Sequence, residues 1–382
     1  MNYNQVNSTQ GAQTGKTILP IRVLHCVAGM GMGGYENFIM NIYRNIDRQK
    51  VQFDFILSFS GVFCDEILSL GGKIYKIPFI TQVGPFEYRK SIDHIIKAHR
   101  EYRIIHSHMD KFSGLIMEVA KNNNIKCRIA HSHSTKNDGG IIFNSVKNFY
   151  GTKIEKNATD FFACSQSSAR WLFPGKLNEA VLVNNGIDLS KFKYNMGLNI
   201  EQRKKYKIEN KFIIGHIGRF SQSKNHKFII EVFSQLSALC EDALLILVGD
   251  GKEKKYIEQI VNSKNLQDKV IFMGLRSDVS QILQMFDVFV FPSVYEGFPI
   301  ALIEAQAAGV PCIVSQNITR EAKLTSHTKF LPISGKKIRE IWVKEILKMR
   351  GKKSEIALYE RLKEFDIEKI SDNLMNFYIS KA

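Results

Sequence analysis

The sequence predicts an α/β protein made of two parallel-sheet domains, and three observations carry that prediction. Short apolar runs alternate with amphipathic stretches from Ile21 onward. The runs fall into two sets, one before and one after the turn-rich segment Asn184-Asn185-Gly186-Ile187-Asp188. The first strand of each set leads into a loop that carries glycine, Gly29–Gly34 in one and Gly218–Lys224 in the other. Strands that alternate with helices pair in parallel and are covered on both faces. Two such sets imply two Rossmann-like domains, whose ligands bind beyond the carboxyl ends of the strands.

The elements follow in order. Residues 1–17 are polar and rich in Gly, Gln and Asn, and read as a disordered tail. Residues 18–188 make the N-terminal domain, with strand-like runs at Ile21–Ala28, Val51–Leu57, Arg103–His106, Arg128–His131 and Asp160–Cys164. Between the first two runs, Glu36–Ile46 places Phe38, Ile39, Ile42 and Ile46 on one helical face. Residues 189–365 make the C-terminal domain, with runs at Phe212–Ile217, Leu244–Val248, Val270–Phe272, Val288–Phe291 and Cys312–Val314. The segment 366–382 contains a last helix, Ile367–Tyr378.

Composition narrows the class. The chain has 382 residues, enough for two domains, and its apolar share of 44% is that of a globular protein. No apolar run approaches the roughly 18 residues of a membrane span, and no signal core precedes Pro20. The six cysteines are scattered without a CxxC, as in a reducing compartment, so a cytoplasmic location is expected. The net charge of +16 is spread over both halves. Such a field favours phosphates or an anionic membrane surface, and no nucleic-acid-binding signature accompanies it.

The most informative stretch is Phe291-Pro292-Ser293-Val294-Tyr295-Glu296-Gly297-Phe298-Pro299, leading to Glu304 in the next helix. The strand Val288–Phe291 delivers Glu296 to the sheet edge, and Pro299 suits a helix start. Two carboxylates there are acceptors for the hydroxyls of a sugar and a ribose. In Gly218-Arg219-Phe220-Ser221-Gln222-Ser223-Lys224, two cations leave one strand and enter the next helix, as a diphosphate clamp requires. In Gly29-Met30-Gly31-Met32-Gly33-Gly34-Tyr35-Glu36, glycines bring main-chain amides close to a ligand at a helix N-terminus.

Three imitations of other sites are set aside. Gly11–Thr17 resembles a P-loop but is one residue short and precedes a strand. Gly29, Gly31 and Gly34 satisfy GxGxxG, yet the second strand ends Ile56-Leu57-Ser58-Phe59-Ser60, without the acid a dinucleotide needs. His106-Ser107-His108-Met109-Asp110 imitates a metallohydrolase motif, but Lys111 stands where the next histidine belongs. His106 and His108 therefore read as hydrogen-bonded strand-end residues. The second doublet, His131 and His133, is placed at the cleft between the domains.

Taken in order, these pieces resemble a retaining glycosyltransferase of family 4. They run from Gly29–Glu36 through Asn185-Gly186-Ile187-Asp188, Gly218-Arg219…Lys224 and Val248-Gly249-Asp250-Gly251 to Glu296…Glu304. The resemblance covers residues from about 21 to 315. It implies a GT-B fold, two facing Rossmann-like domains with an interdomain cleft, whose last helix crosses back to the first domain. It implies that Arg219 and Lys224 neutralise the donor diphosphate, that Glu296 holds the transferred sugar and that Glu304 binds the ribose. Gly33 and Gly34 would face phosphate and acceptor. Gly218, Gly249, Gly297, Phe298 and Pro299 complete the donor set. His131 matches the family's strand-end histidine near the sugar, with His133 a second candidate for the same place, and His133 and Tyr35 are acceptor-side candidates.

After Cys312–Ser315 many relatives carry a double glycine before an acid; here the chain reads Gln316–Thr325, with Glu321 an uncertain match. That variant, like the two histidine doublets, resembles the bacterial capsular and exopolysaccharide subset. The expected reaction moves a hexose-type sugar from a nucleotide diphosphate sugar, most simply a UDP-sugar, to an oligosaccharide or lipid-linked saccharide acceptor with retention. No cofactor or metal is expected, since no DxD triplet is present and fixed cations can stabilise the departing diphosphate. Peripheral contact with the inner face of the membrane would suit the basic surface. Two alternatives are a UDP-sugar 2-epimerase on the same fold and a non-catalytic nucleotide-sugar-binding subunit. Isomer formation without acceptor would mark the first; donor binding without turnover would mark the second.

Overall fold

The computed structural model describes residues 19–135, 141–296, 298–352 and 359–382. The expected tail at 1–17 and the donor-loop residue Gly297 lie outside these residues. Two all-parallel sheets form. The first contains β1 (Ile21–Cys26), β2 (Val51–Leu57), β3 (Ile74–Lys76), β4 (Ile104–Ser107), β5 (Cys127–Ser132), β6 (Asp160–Ala163) and β7 (Ala180–Leu182), in the order β3-β2-β1-β4-β5-β6-β7. The second contains β8 (Phe212–Ile217), β9 (Ala243–Val248), β10 (Val270–Gly274), β11 (Val288–Phe291), β12 (Cys312–Ser315) and β13 (Thr328–Leu331), in the order β10-β9-β8-β11-β12-β13.

The strands are apolar because both faces of each sheet are covered. Val51–Leu57 and Ala243–Val248 are buried at every position. Three strands escape the sequence pattern: β3, β7 and β13. Each is an edge strand of three or four residues with partial exposure, too short and too wet to produce an apolar run.

In each sheet the strand order reverses once, between β1 and β4 and between β8 and β11. Such a reversal opens a crevice, since the connections on its two sides leave in opposite directions. The Gly29–Gly34 loop follows β1, the Gly218–Lys224 loop follows β8, and the Glu296 loop follows β11. The motifs singled out in the sequence thus sit at the crevices of the two sheets.

Two chain segments join the domains and run side by side. Ile187 pairs in parallel with Asp366; Ile187 N–H donates to Phe365 O at 2.8 Å, and Ile367 N–H donates to Ile187 O at 3.1 Å. Gly186 is required there, because a Cβ would lie 2.7 Å from Ile367 Cδ1 and 3.0 Å from its Cα. The C-terminal helix Ile367–Lys381 then lies on the first sheet. Its Ile367, Ile370, Leu374, Met375 and Tyr378 share one core with Val23, Phe53 and Ile104. Asp366 caps this helix, its carboxylate accepting from Glu368 N–H.

Candidate active site

The C-terminal half of the site is built from the loops after β8 and β11. Ser221 to Asn225 form a single 3-10 turn, and Asn225 is left-handed at φ 57°, which launches the helix His226–Leu239. That turn aims Lys224 across the crevice at the neighbouring loop. Lys224 Nζ meets Glu296 Oε1 at 2.6 Å and lies 4.7 Å above the centre of the Phe291 ring. The two loops are also stitched by main chain: Val294 N–H donates to Ser223 O at 2.7 Å, and Asn225 Nδ2 donates to Pro292 O. Lys224 and Glu296 are both largely shielded from water, which strengthens their attraction.

The glycines of this half have two different reasons. Gly218 leaves room for Lys224, whose stem would lie 3.3 Å from an added Cβ. Gly249 is strained for any other residue, with φ at +133° and a Cβ position 2.2 Å from Gly218 O. It packs the β9 turn closely against the clamp loop. The Phe298 ring stacks on Phe365 at 5.5 Å inside the domain core. Pro299 is the N-cap of the helix Ile300–Ala307, and Glu304 lies within that helix. Glu304 is half-buried, and burial pushes its carboxyl up to about 7. Arg219 is exposed on the crevice loop, and Glu321 is exposed in the short 3-10 turn Arg320–Ala322.

The N-terminal half faces this clamp. Gly33 is the N-cap of the helix Gly34–Asn45, and a Cβ there would lie 2.2 Å from Glu36 Oε2. An added Cβ at Gly34 would meet nothing within 4 Å. Gly33 therefore makes room for the Glu36 carboxylate, and Gly34 borders open space. Burial raises the Glu36 carboxyl, the Arg219 charge from the other domain counteracts this, and Oε2 has no hydrogen-bond partner among the described residues. Tyr35 O–H donates to Gly29 O at 3.2 Å, which ties the helix start to the end of β1. Across the cleft, Thr135 Oγ1 donates to Glu296 O at 3.4 Å.

Behind the glycine loop lies a layer of five histidines. His25 comes from β1, His106 and His108 from β4 and just beyond it, and His131 and His133 from β5 and just beyond it. They form two hydrogen-bonded ribbons. In one, His25 Nδ1 meets His108 Nε2 at 3.1 Å, and His108 Nδ1 meets His133 Nε2 at 2.8 Å. In the other, Tyr378 OH meets His106 Nδ1 at 2.7 Å, and His106 Nε2 meets His131 Nδ1 at 3.1 Å. The ribbons stack, His106 on His108 with ring centres 4.3 Å apart and His131 on His133 at 4.0 Å. This follows from the strand period of two, which puts alternate side chains on one face. Burial lowers all five from the ordinary histidine value, His25 and His133 to about 3, so the layer is neutral near pH 7.

Ring nitrogens of His25, His106 and His108, and of His108, His131 and His133, lie within 4.8 Å of one another. The ring planes stack, however, and a bound ion must lie near the plane of each imidazole that ligates it. An ion shared within either triad would have to displace the histidine–histidine hydrogen bonds.

Sequence reasoning placed His131, His133 and Tyr35 on this side. His131 is fully buried, while His133 is half-buried and sits between the Tyr35 and Phe38 rings. It missed Glu36, Thr135, His25 and Tyr378 as parts of the arrangement. The acid closing the glycine loop was the available signal for Glu36; nothing local marks a tyrosine on the last helix.

Comparisons with known proteins decide the family. Residues 199–335 match the family described as glycosyl transferases group 1. Over 310 residues the chain is 37% identical to a Bacillus subtilis (strain 168) protein named as the glycosyltransferase EpsF, covering 78% of this chain and 80% of that one. The chain belongs to the group 1 glycosyltransferases. Another relative of the glycosyltransferase is the Staphylococcus aureus capsular polysaccharide biosynthesis glycosyltransferase CapH, 28% identical over 95% of this chain and 99% of that one. A third is the Escherichia coli UDP-Gal:alpha-D-GlcNAc-diphosphoundecaprenol alpha-1,3-galactosyltransferase, 25% identical over 77% and 79%. Among solved structures, Anabaena HepE in complex with UDP superposes with a TM-score of 0.77, covering 95% of this chain and all of that one at 19% identity. The glycosyltransferase therefore has the GT-B fold.

Proposed function

We propose that this glycosyltransferase moves a hexose-type sugar from a UDP-sugar to a saccharide acceptor carried on a lipid diphosphate, with retention, in bacterial surface polysaccharide synthesis. The observation that carries the reading is the Lys224–Glu296 pair, 2.6 Å apart at the crevice of the second sheet and facing the glycine loop of the first. A diphosphate between Arg219 and Lys224 is a stronger partner for the ammonium than one carboxylate. Its arrival frees Glu296 to accept from sugar hydroxyls, so donor binding and sugar positioning are coupled. In this scheme Glu304 accepts from the ribose hydroxyls.

As the sugar–phosphate bond breaks, negative charge grows on the departing diphosphate. Arg219, Lys224 and the amides around Gly33 and Gly34 stabilise it without rearranging, which lowers the barrier. Glu296 positions the sugar in this scheme. The acceptor enters from the N-terminal domain, past Tyr35 and His133, and its hydroxyl attacks the donor from the face the phosphate leaves, giving its proton to the departing diphosphate. No metal or cofactor is needed in this scheme.

The donor and acceptor classes draw on relatives. HepE is described in complex with UDP, and the Escherichia coli relative is named for a UDP-galactose donor and a diphosphoundecaprenol-linked acceptor. A lipid-linked acceptor also fits the net charge of +16, and no helix among the described residues is long and apolar enough to cross a membrane. We place the protein on the cytoplasmic face of the membrane as a peripheral enzyme. Incubation with UDP-sugars and lipid-diphosphate saccharides tests the reading. Transfer with the donor's anomeric configuration kept in the product is expected. An isomerised UDP-sugar without acceptor, or an inverted product, contradicts it.

A further inference from the structure

The second histidine ribbon ends on Tyr378, and that residue determines where its protons lie. The Tyr378 hydroxyl is fully buried in the core between the C-terminal helix and the first sheet, and among the described residues its hydrogen-bond partner is His106 Nδ1 at 2.7 Å. A phenol always carries a proton here, since burial holds its ionisation far above neutrality. Were His106 Nδ1 to donate, that O–H would be buried with no acceptor, which is the costly arrangement. Tyr378 therefore donates and His106 Nδ1 accepts. A neutral imidazole has one N–H, so the His106 proton lies on Nε2. It donates to His131 Nδ1 at 3.1 Å. The same rule then puts the His131 proton on Nε2.

His131 Nε2 is buried and has no hydrogen-bond partner among the described residues. It stands at the carboxyl end of β5, whose continuation runs through His133 to Thr135 and the Glu296 main chain. We propose that Tyr378 is a positioning residue for the transfer reaction: through His106 it locks His131 as the Nε2–H tautomer, a neutral donor for an oxygen of the bound sugar. This rests on the function proposed above and on His131 being the strand-end histidine near the sugar that the family resemblance implies. The lock passes between residues 272 positions apart in sequence and makes the C-terminal helix part of the site. His25, His108 and His133 form the other ribbon and carry no part of the relay.

The protein labelled with 15N-histidine decides the matter by long-range 15N–1H correlation spectra, with His131 and His106 assigned from the signals lost in His131→Gln and His106→Gln. Both rings are expected as Nε2–H tautomers in the wild type. In Tyr378→Phe the buried ring is kept but the donor is lost, and His131 should shift toward the Nδ1–H form. With UDP-sugar and acceptor, Tyr378→Phe, His106→Phe and His131→Phe should each lower kcat/KM about tenfold, the effect of one neutral hydrogen bond, and the double variant Tyr378→Phe/His131→Phe should be no worse than His131→Phe alone. An Nδ1–H or charged His131 in the wild type overturns the proposal, even if Tyr378→Phe does not fold. So does an unchanged tautomer in Tyr378→Phe, or losses that multiply in the double variant. The spectra need no turnover, so the lock and the transferase reading can fail separately.

Discussion

At the scale of single residues, charge placement decides what the site can do. Lys224 has a carboxylate at hydrogen-bond distance, and the Phe291 ring supports its ammonium. Lys224→Met should abolish donor binding in calorimetry, because the diphosphate loses its closest cation and Glu296 is left without its partner. Retained affinity within threefold of wild type would remove Lys224 from the donor site. Glu304 gives a pH prediction of definite sign. Its folded carboxyl titrates near 7 against about 4.5 in the unfolded chain, so the folded state binds the extra proton between those values. Stability from this position is therefore lost as pH rises through 7, on the order of 2 kcal/mol after allowing for partial exposure. Glu304→Gln should raise the unfolding midpoint at pH 8 and leave it unchanged near pH 4. If Glu304 holds the ribose as a carboxylate, wild-type donor affinity should also weaken below pH 7, a trend absent in the glutamine variant. A pH-independent stability difference would contradict the assigned burial.

At the scale of elements, the sites depend on what strands deliver and what turns permit. The cations, carboxylates and glycine loops were legible in the sequence because each follows an apolar run directly, and a strand end has a fixed place in an α/β sheet. The three edge strands were not legible, since a strand with one wet face and three or four residues leaves no periodic trace. Nor were Tyr378 and His25, whose partners come from other strands and from the last helix. The roles of Gly249 and Phe298 are not decided by the motif, because a local motif cannot tell a glycine that touches a ligand from one that touches another turn. Gly249→Ala tests the distinction. With its Cβ 2.2 Å from Gly218 O and φ at +133°, it should cost about 2–4 kcal/mol of stability. It should weaken donor binding through displacement of the clamp loop. Donor binding lost with full stability retained would assign Gly249 to direct contact instead.

At the scale of the whole molecule, each sheet contributes one side of the candidate site, and the crossing segments 184–188 and 364–367 are hydrogen-bonded to one another. The histidine layer is part of this architecture. Burial holds His25 and His133 near 3, well below the ordinary value of 6.5, so the unfolded chain binds more protons beneath 6.5. Their contribution to stability is complete above 6.5 and is lost as pH falls toward 3, by about 1.4 kcal/mol per pH unit for each ring. In the Glu304→Gln variant, which removes the opposing titration of that carboxyl, the thermal midpoint should fall steeply between pH 6.5 and 5; a flat profile there would mean the layer is already charged. The basic surface makes a separate prediction, co-sedimentation with anionic vesicles at low salt that is lost at high salt. No binding at low salt would remove the membrane from the account.

The central claim is that the crevice of the second sheet, with Lys224 and Glu296 at its mouth, is a UDP-sugar site. Thermal unfolding with UDP-, GDP- and ADP-sugars tests it most directly, since a ligand that binds only the folded state raises the midpoint by mass action. A rise with UDP-sugars, lost in Lys224→Ala and Glu304→Ala, is the predicted result. No rise with any nucleotide sugar, or a rise that survives both substitutions, would contradict it.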